Sequence, residues 1–564
     1  MALRLDNSTK APPPPHLPFI EYNFALPPHT LSLPYIEWHD PYPAMTEIIS
    51  GQVPPLILGP SDKEKKYDRQ LRLWAANGQQ ALEDAHICLI NSGSGTTGVE
   101  TLKNLVLPGI GQFTIVDDKS VDESDLGVNF FLEEASLGRP RAECCKELLG
   151  ELNPDATGHW ATSFDEQPAF TLVLYTTPVN DELLETVKKY CQTHKVPLVS
   201  INCLGFYSYF NITFNGNFPI VDTHPDSTAT TDLRLLTPWP ELEEFAQELT
   251  VDIDNLSAHK HGHVPYVALL LHYLEEWKAE NSGSVPQSYA DKVKFRKLVA
   301  AGATDSPEGA EENYDEATAA VLKTVSLPSL PSSARDVFEY EPNQDEAKSG
   351  FWIITEAIKQ FHQKYGALPL PGSVPDMKAE SEVYIQLQSI YKKKARQDVN
   401  KILEILGTIP NGSEVEKEEV ETYCKNAAFI KLVRESAPDL DRLKQLADSE
   451  LNAEFELQPT LLPVYLALKG SESAKPEPGA AAASAPQILS EISRIVPDAA
   501  SDDRLVRVAT EVARAQGGEL HNISALTGGM VAQEMIKIIT KQYIPIDNTC
   551  VFDGIVSRSQ IFRI

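Results

Sequence analysis

Residues 86–118 read HICLINSGSGTTGVETLKNLVLPGIGQFTIVDD. HICLI (86–90) and FTIVDD (113–118) are short apolar runs of strand length. Between them, roughly Thr97 to Leu107, small and apolar residues recur at helical spacing. Strand, glycine turn, helix and strand in that order make a βαβ unit with a parallel sheet. The turn holds Gly93, Gly95 and Gly98 in G-x-G-x-x-G spacing, and Asp117 closes the second strand. Glycines there let the backbone approach a pyrophosphate at a helix N-terminus, and an acid at that strand end holds a ribose hydroxyl. Dehydrogenases, methyltransferases and adenylating enzymes share this pattern, and a βα turn with no ligand also satisfies it.

The same style continues outward. TLVLYTT (171–177) and PLVSINCLG (197–205) predict further strands, alternating with helices at 139–152 and 181–194. Residues 63–222 therefore form the first part of an α/β domain with a mostly parallel sheet. From 223 to 503 the pattern changes. PYVALLLHYLEEWKAEN, FWIITEAIKQFHQKYG and SEVYIQLQSIYKKKARQDVNKILEILG carry apolar residues three and four apart and almost no strand signal, which predicts a helical domain. Within it SESAKPEPGAAAASAPQ (471–487) is low in complexity and predicts a flexible loop. Residues 504–564 return to the α/β style, with a helix over 526–542 and strands over 548–555 and 559–564. The helical block is thus an insertion into the α/β domain. Residues 1–62, with runs such as APPPPHLP, predict a proline-rich disordered leader.

Composition narrows the function. The 564-residue chain carries a net charge of −31, which repels phosphate backbones and anionic lipid. Nucleic acid and membranes are excluded as partners on that ground; a basic protein partner fits, as does a plain solubility role. The seven cysteines include no C-x-x-C pair. The longest apolar run, VPYVALLL (264–271), is far short of the roughly 20 residues a membrane span needs. A soluble protein of a reducing compartment, cytoplasmic or nuclear, is expected.

Flanking segments add specificity to the glycine loop. YDRQLRLW (67–74) stands before it, and LKNLVLPGIGQFTIVD (102–117) and SLGRPRAE (136–143) follow. Together these resemble the ubiquitin-like activating enzymes and their bacterial sulfur-carrier adenylating relatives, which implies a Rossmann-like ThiF-type adenylation fold. HPDSTATTDLRLLTPWPEL (224–242), FWIITEAIKQF (351–361) and GGMVAQEMIKIITKQ (528–542) are similar to the regulatory subunits of the neddylation-activating enzyme, the amyloid-precursor-protein-binding family.

Against the catalytic pattern that this resemblance supplies, several positions are broken. The loop G-x-G-G-x-G has Thr96 at its fourth place, where a side chain is expected to crowd a phosphate. The D-x-D after the second strand keeps Asp117 but has Lys119. An ATP-facing arginine is replaced by Val128, the lysine of G-x-x-K-A by Arg141, and a magnesium-binding aspartate by Thr177. Gly93, Gly95, Gly98 and Asp117 then belong to a degenerate nucleotide site, with no metal ligand and no cofactor held by this chain. The motif around Arg69 is whole, and the resemblance implies that this side chain reaches across a dimer interface into the partner's ATP pocket. It further implies a heterodimer whose catalytic subunit carries ATP, magnesium, structural zinc, the nucleophilic cysteine and the docking domain for a conjugating enzyme. The complex adenylates the C-terminal glycine of a ubiquitin-like modifier and then forms a thioester on the partner. Alternatives are a sumoylation-type regulatory subunit, a free-standing adenylating enzyme and an NAD-binding Rossmann module.

Two further groups bear on the chemistry. Cys424 is the one cysteine within 206–549; apolar neighbours and nearby Glu418, Glu419 and Glu421 favour a core thiol over a nucleophile. His259, His261 and His263 alternate at strand spacing, which suits metal ligands on one face, but a polar turn before the next helix fits better.

Overall fold

The computed structural model describes residues 61–165, 169–226, 231–304, 311–435, 440–451, 460–497 and 502–564. The proline-rich leader expected over 1–62 lies outside them, apart from its final two residues.

After helix α1 (Asp68–Glu83), the HICLI run forms β1 (His86–Ile90), and the second apolar run forms β2 (Gln112–Val116) parallel to it. Helix α2 (Thr96–Val106) joins them and opens on Gly95, whose φ of 69° is left-handed. Helix α3 (Arg141–Leu152) leads to β3 (Thr157–Ala161), an edge strand parallel to β2. The expectations did not include this strand. Its side chains are mostly exposed, so it lacks the apolar run that marks β1 and β2. Strand β4 (Leu172–Thr176), helix α4 (Asp181–His194) and β5 (Leu198–Leu204) follow as predicted, with the Asn180 side chain capping α4. Strand β6 (Tyr207–Thr213) then turns back antiparallel to β5.

The insertion begins with β7 (Phe218–Val221), which pairs antiparallel with β8 (Ile430–Val433) to form a two-stranded ribbon. Strand β8 is a strand within the segment expected to be helical. Between the two lie mainly helices, including α5 (Tyr266–Glu280), α6 (Gly350–Tyr365), α7 (Ser381–Leu406) and α8 (Lys417–Lys425). They bury two cores, one around Leu269, Leu270 and Phe295 and one around Ile354, Ile358 and Phe361.

The last part of the expected insertion, 460–503, packs elsewhere, together with the helix that follows it. Helices α9 (Leu462–Ser473), α10 (Ala485–Ile495) and α11 (Asp503–Arg514) share a core with Tyr207 and Tyr209 of β6. They therefore cover the sheet. The low-complexity stretch 471–487 is helix at both ends, and Ala474 and Ala483 between them are buried.

Helix α12 (His521–Thr540), β9 (Thr549–Asp553) and β10 (Arg558–Phe562) complete the α/β domain. The eight strands run in the order β10-β9-β6-β5-β4-β1-β2-β3, and the five from β5 to β3 are mutually parallel. Helices α1, α2, α3 and α12 bury Trp74, Leu102, Leu149 and Met535 against one face of the sheet.

Candidate functional site

The order of the parallel strands reverses at β1, with β2 on one side and β4 on the other. In open parallel sheets the crevice beyond the strand ends at such a point is where ligands bind. A cavity of about 720 Å³ lies there, walled by Gly93, Ser94, Lys119, Arg141, Thr177 and Glu519 and roofed by Ala481, Ala482 and Ala483.

The loop glycines answer to protein neighbours. At Gly95 an added Cβ would lie 2.4 Å from Asn91 Nδ2, and at Gly98 one would lie 2.8 Å from Leu89 Cδ1. Thr96 does not line the cavity, as had been expected. It sits in the first turn of α2, 1% exposed, with its hydroxyl unpartnered. Other groups line the crevice beside the loop.

Those groups are charged. Asp117 is buried and accepts from Arg141 Nε at 2.7 Å, Asn91 Nδ2 at 2.8 Å and the Lys119 backbone N–H at 3.0 Å. Its carboxylate is occupied from within. Arg141 is 1% exposed, and its Nη1 donates to Asp125 Oδ1 at 3.0 Å, the Gly93 carbonyl at 3.1 Å and the Ser94 carbonyl at 3.3 Å. Burial works against its charge, but Asp117 and Asp125 outweigh that, so its pKa is held above the usual value. Lys119 Nζ donates to the same Gly93 carbonyl at 3.1 Å. Two cations thus grip the loop backbone where a nucleotide would lie. Val128 and Thr177 complete the wall and offer no charge to a phosphate or a cation.

Glu519 went unnoticed in the sequence. Its Oε2 accepts from the Thr97 backbone N–H at 2.8 Å, the Thr97 hydroxyl at 2.5 Å and the Ser524 hydroxyl at 2.6 Å. Thr97 and Glu519 are 422 residues apart in the chain, so no local pattern marks their contact.

Arg69 lies on the opposite kind of surface. Tyr67 is buried, with its hydroxyl bonded to Asp155 and Asn153, and Trp74 is buried, with its carbonyl held by Gln542. Helical geometry breaks at Trp74 and Ala75. The motif YDRQLRLW is therefore pinned at both aromatic ends, with Asp68, Arg69, Arg72 and Leu73 exposed between them. Arg72 pairs with Asp68 at 3.0 Å, whereas Arg69 is exposed and has no ion pair or hydrogen bond among the described residues.

All seven cysteines are unpaired and buried. Burial, helped by Asp398 and Glu421, pushes the Cys424 thiol up to about 12, which makes it a core residue of α8. The three alternating histidines do not share a face. His261 is buried against Glu311 at 2.7 Å and Tyr314, while His259 and His263 stack on each other outside. Among the described residues no group of three or more His, Cys, Asp or Glu is placed to hold a metal ion, and no helix is long and apolar enough to cross a membrane.

A model of the ThiF family matches residues 67–564. The NEDD8-activating enzyme E1 regulatory subunit of Xenopus laevis is 35% identical over 541 residues, covering 89% of this chain and 99% of that protein. The chain belongs to this family. Regulatory subunits from Gallus gallus and Arabidopsis thaliana are each 33% identical, covering 89% of this chain and 98% and 99% of their own lengths. The ThiF match begins at Tyr67, the residue that anchors the helix of Arg69.

Proposed function

We propose that this chain is the non-catalytic half of a heterodimer that activates a NEDD8-like modifier. The catalytic partner adenylates the modifier's C-terminal glycine with ATP and magnesium, takes the modifier onto its own cysteine as a thioester, and passes it to a conjugating enzyme. This chain contributes half of the paired α/β domains and the Arg69 guanidinium. A cation placed beside the phosphates stabilises the charge that builds up as the glycine carboxylate attacks, and such fingers are worth roughly 10³–10⁵ in rate. Seven unpaired thiols suit a reducing compartment, cytoplasm or nucleus.

One observation carries the reading: the arginine of the pinned helix is exposed and unpartnered, while the cations of the chain's own crevice are spent on its own backbone. ATP–pyrophosphate exchange tests it. The chain alone should give no exchange with modifier, and the complex with its catalytic partner should. Arg69→Ala should slow exchange by the complex about a thousandfold while the complex still elutes as a heterodimer. Unchanged exchange in that variant would remove the role of Arg69, and exchange by the isolated chain would remove the division of labour.

A further inference from the structure

The first turn of a helix leaves backbone N–H groups without intrahelical partners, and in this architecture they face an anion at the end of β1. In α2 one of those donors, the Thr97 N–H, is already taken by the Glu519 carboxylate, and the Thr97 and Ser524 hydroxyls converge on the same oxygen. Glu519 is 8% exposed and shares the cavity wall with Lys119 and Arg141. Its backbone cannot withdraw easily. The Gly205 N–H donates to the Gly518 carbonyl at 2.9 Å, and Gly205 and Glu519 form a parallel bridge that fastens this segment to the end of β5. Ser524 is buried in α12, which packs against α2.

We propose that Glu519 is an internal stand-in for a nucleotide phosphate: its carboxylate fills the anion seat at the start of α2, holds the glycine loop in its closed shape and keeps nucleotides out. The seat is thus filled by the protein's own carboxylate; burial raises its pKa, and the donors on Ser524 and Thr97 oppose that shift. A phosphate entering the crevice would meet a buried carboxylate, and the cations that would balance the newcomer are already paired to Asp117, Asp125 and the Gly93 carbonyl. The half of the dimer that this chain supplies is then formed without regard to ATP concentration. This inference does not depend on Arg69 acting across an interface, since it concerns only the chain's own crevice.

Titration of the full-length chain with inorganic pyrophosphate, by calorimetry, tests the proposal. Wild type should show no saturable binding at millimolar pyrophosphate. Glu519→Gln keeps the size and an acceptor oxygen but loses the charge, and should bind pyrophosphate at least tenfold more tightly than wild type. Equal affinity in the two proteins, including none in either, overturns the proposal. Hydrogen exchange on wild type gives a reading that does not need the variant to fold. The Thr97 amide should be protected without nucleotide and unchanged on adding ATP; an exposed amide, or one that becomes protected only with ATP, overturns it.

Discussion

Arg69 and Arg141 bear the same side chain into opposite settings. Arg141 is sealed beneath the glycine loop, with two carboxylates and two carbonyls around it. Arg69 stands exposed on the first turn of a helix, between the buried Tyr67 and Trp74. The contrast separates what this chain uses to hold itself together from what it can offer a neighbour. A cation surrounded by its own partners stabilises a loop; a cation without partners is free to meet a phosphate elsewhere.

A working nucleophile inside the chain would break that contrast most completely. With its thiol pushed up to about 12, Cys424 should hold only ~10⁻⁴ of its population as thiolate at pH 8. Alkylation by iodoacetamide at that pH should therefore be more than about a thousandfold slower in the native protein than in urea, as followed by mass spectrometry. Modification rises with pH toward that value because the thiolate does. Fast native labelling would reopen a catalytic role.

The two arginines themselves give the next test. Arg141→Met leaves Asp117 and Asp125 buried without their cation, and should lower the unfolding free energy by about 3–5 kcal/mol, read from denaturant midpoints. Arg69→Met should change it by less than about 0.5 kcal/mol. Similar losses in both would erase the distinction. Gly95→Ala should cost about 1–3 kcal/mol from the left-handed backbone alone, and the contact with Asn91 adds to it. A melting temperature equal to wild type would show that the loop is not held against Asn91. The smallest change belongs to Arg72→Ala. It removes an exposed pair with Asp68, worth less than about 0.5 kcal/mol, and should leave exchange by the complex near wild type. An effect as large as that of Arg69→Ala would mean that the whole helix, and not one guanidinium, is what matters.

Much of this architecture is written locally. The apolar runs of β1, β2, β4 and β5 and the glycine turn between β1 and α2 announce themselves because each is buried by its immediate sequence pattern. Strand β3 does not, since an edge strand with exposed side chains has no pattern to show. The helical character of the region holding α9 and α10 was legible, whereas that of α11 was not, and amphipathicity names the face that is buried and not what buries it; Tyr207 and Tyr209 of the sheet supply that surface. The site divides the same way. Gly93, Gly95, Gly98 and Asp117 are found by spacing, and the losses at Val128 and Thr177 by comparison with a family pattern. The role of Arg141 was not visible, because a change from lysine to a forked cation reads as a weaker phosphate contact until Asp117 and Asp125 are seen around it. Glu519 was hidden altogether, being brought to Thr97 only by the closure of the fold.

That closure also sets an order of events during synthesis. Strand β6 pairs with β9, so that Asn211 lies beside Thr549, and the glycine loop near the start of the domain waits for Glu519. A ribosome therefore releases the entire helical insertion before β6 has its second neighbour. Until then β6 presents an unpaired edge, a hazard that chaperones commonly shield. Slow passage through the insertion should prolong that exposure, which makes translation speed across 223–503 a lever on the yield of folded protein.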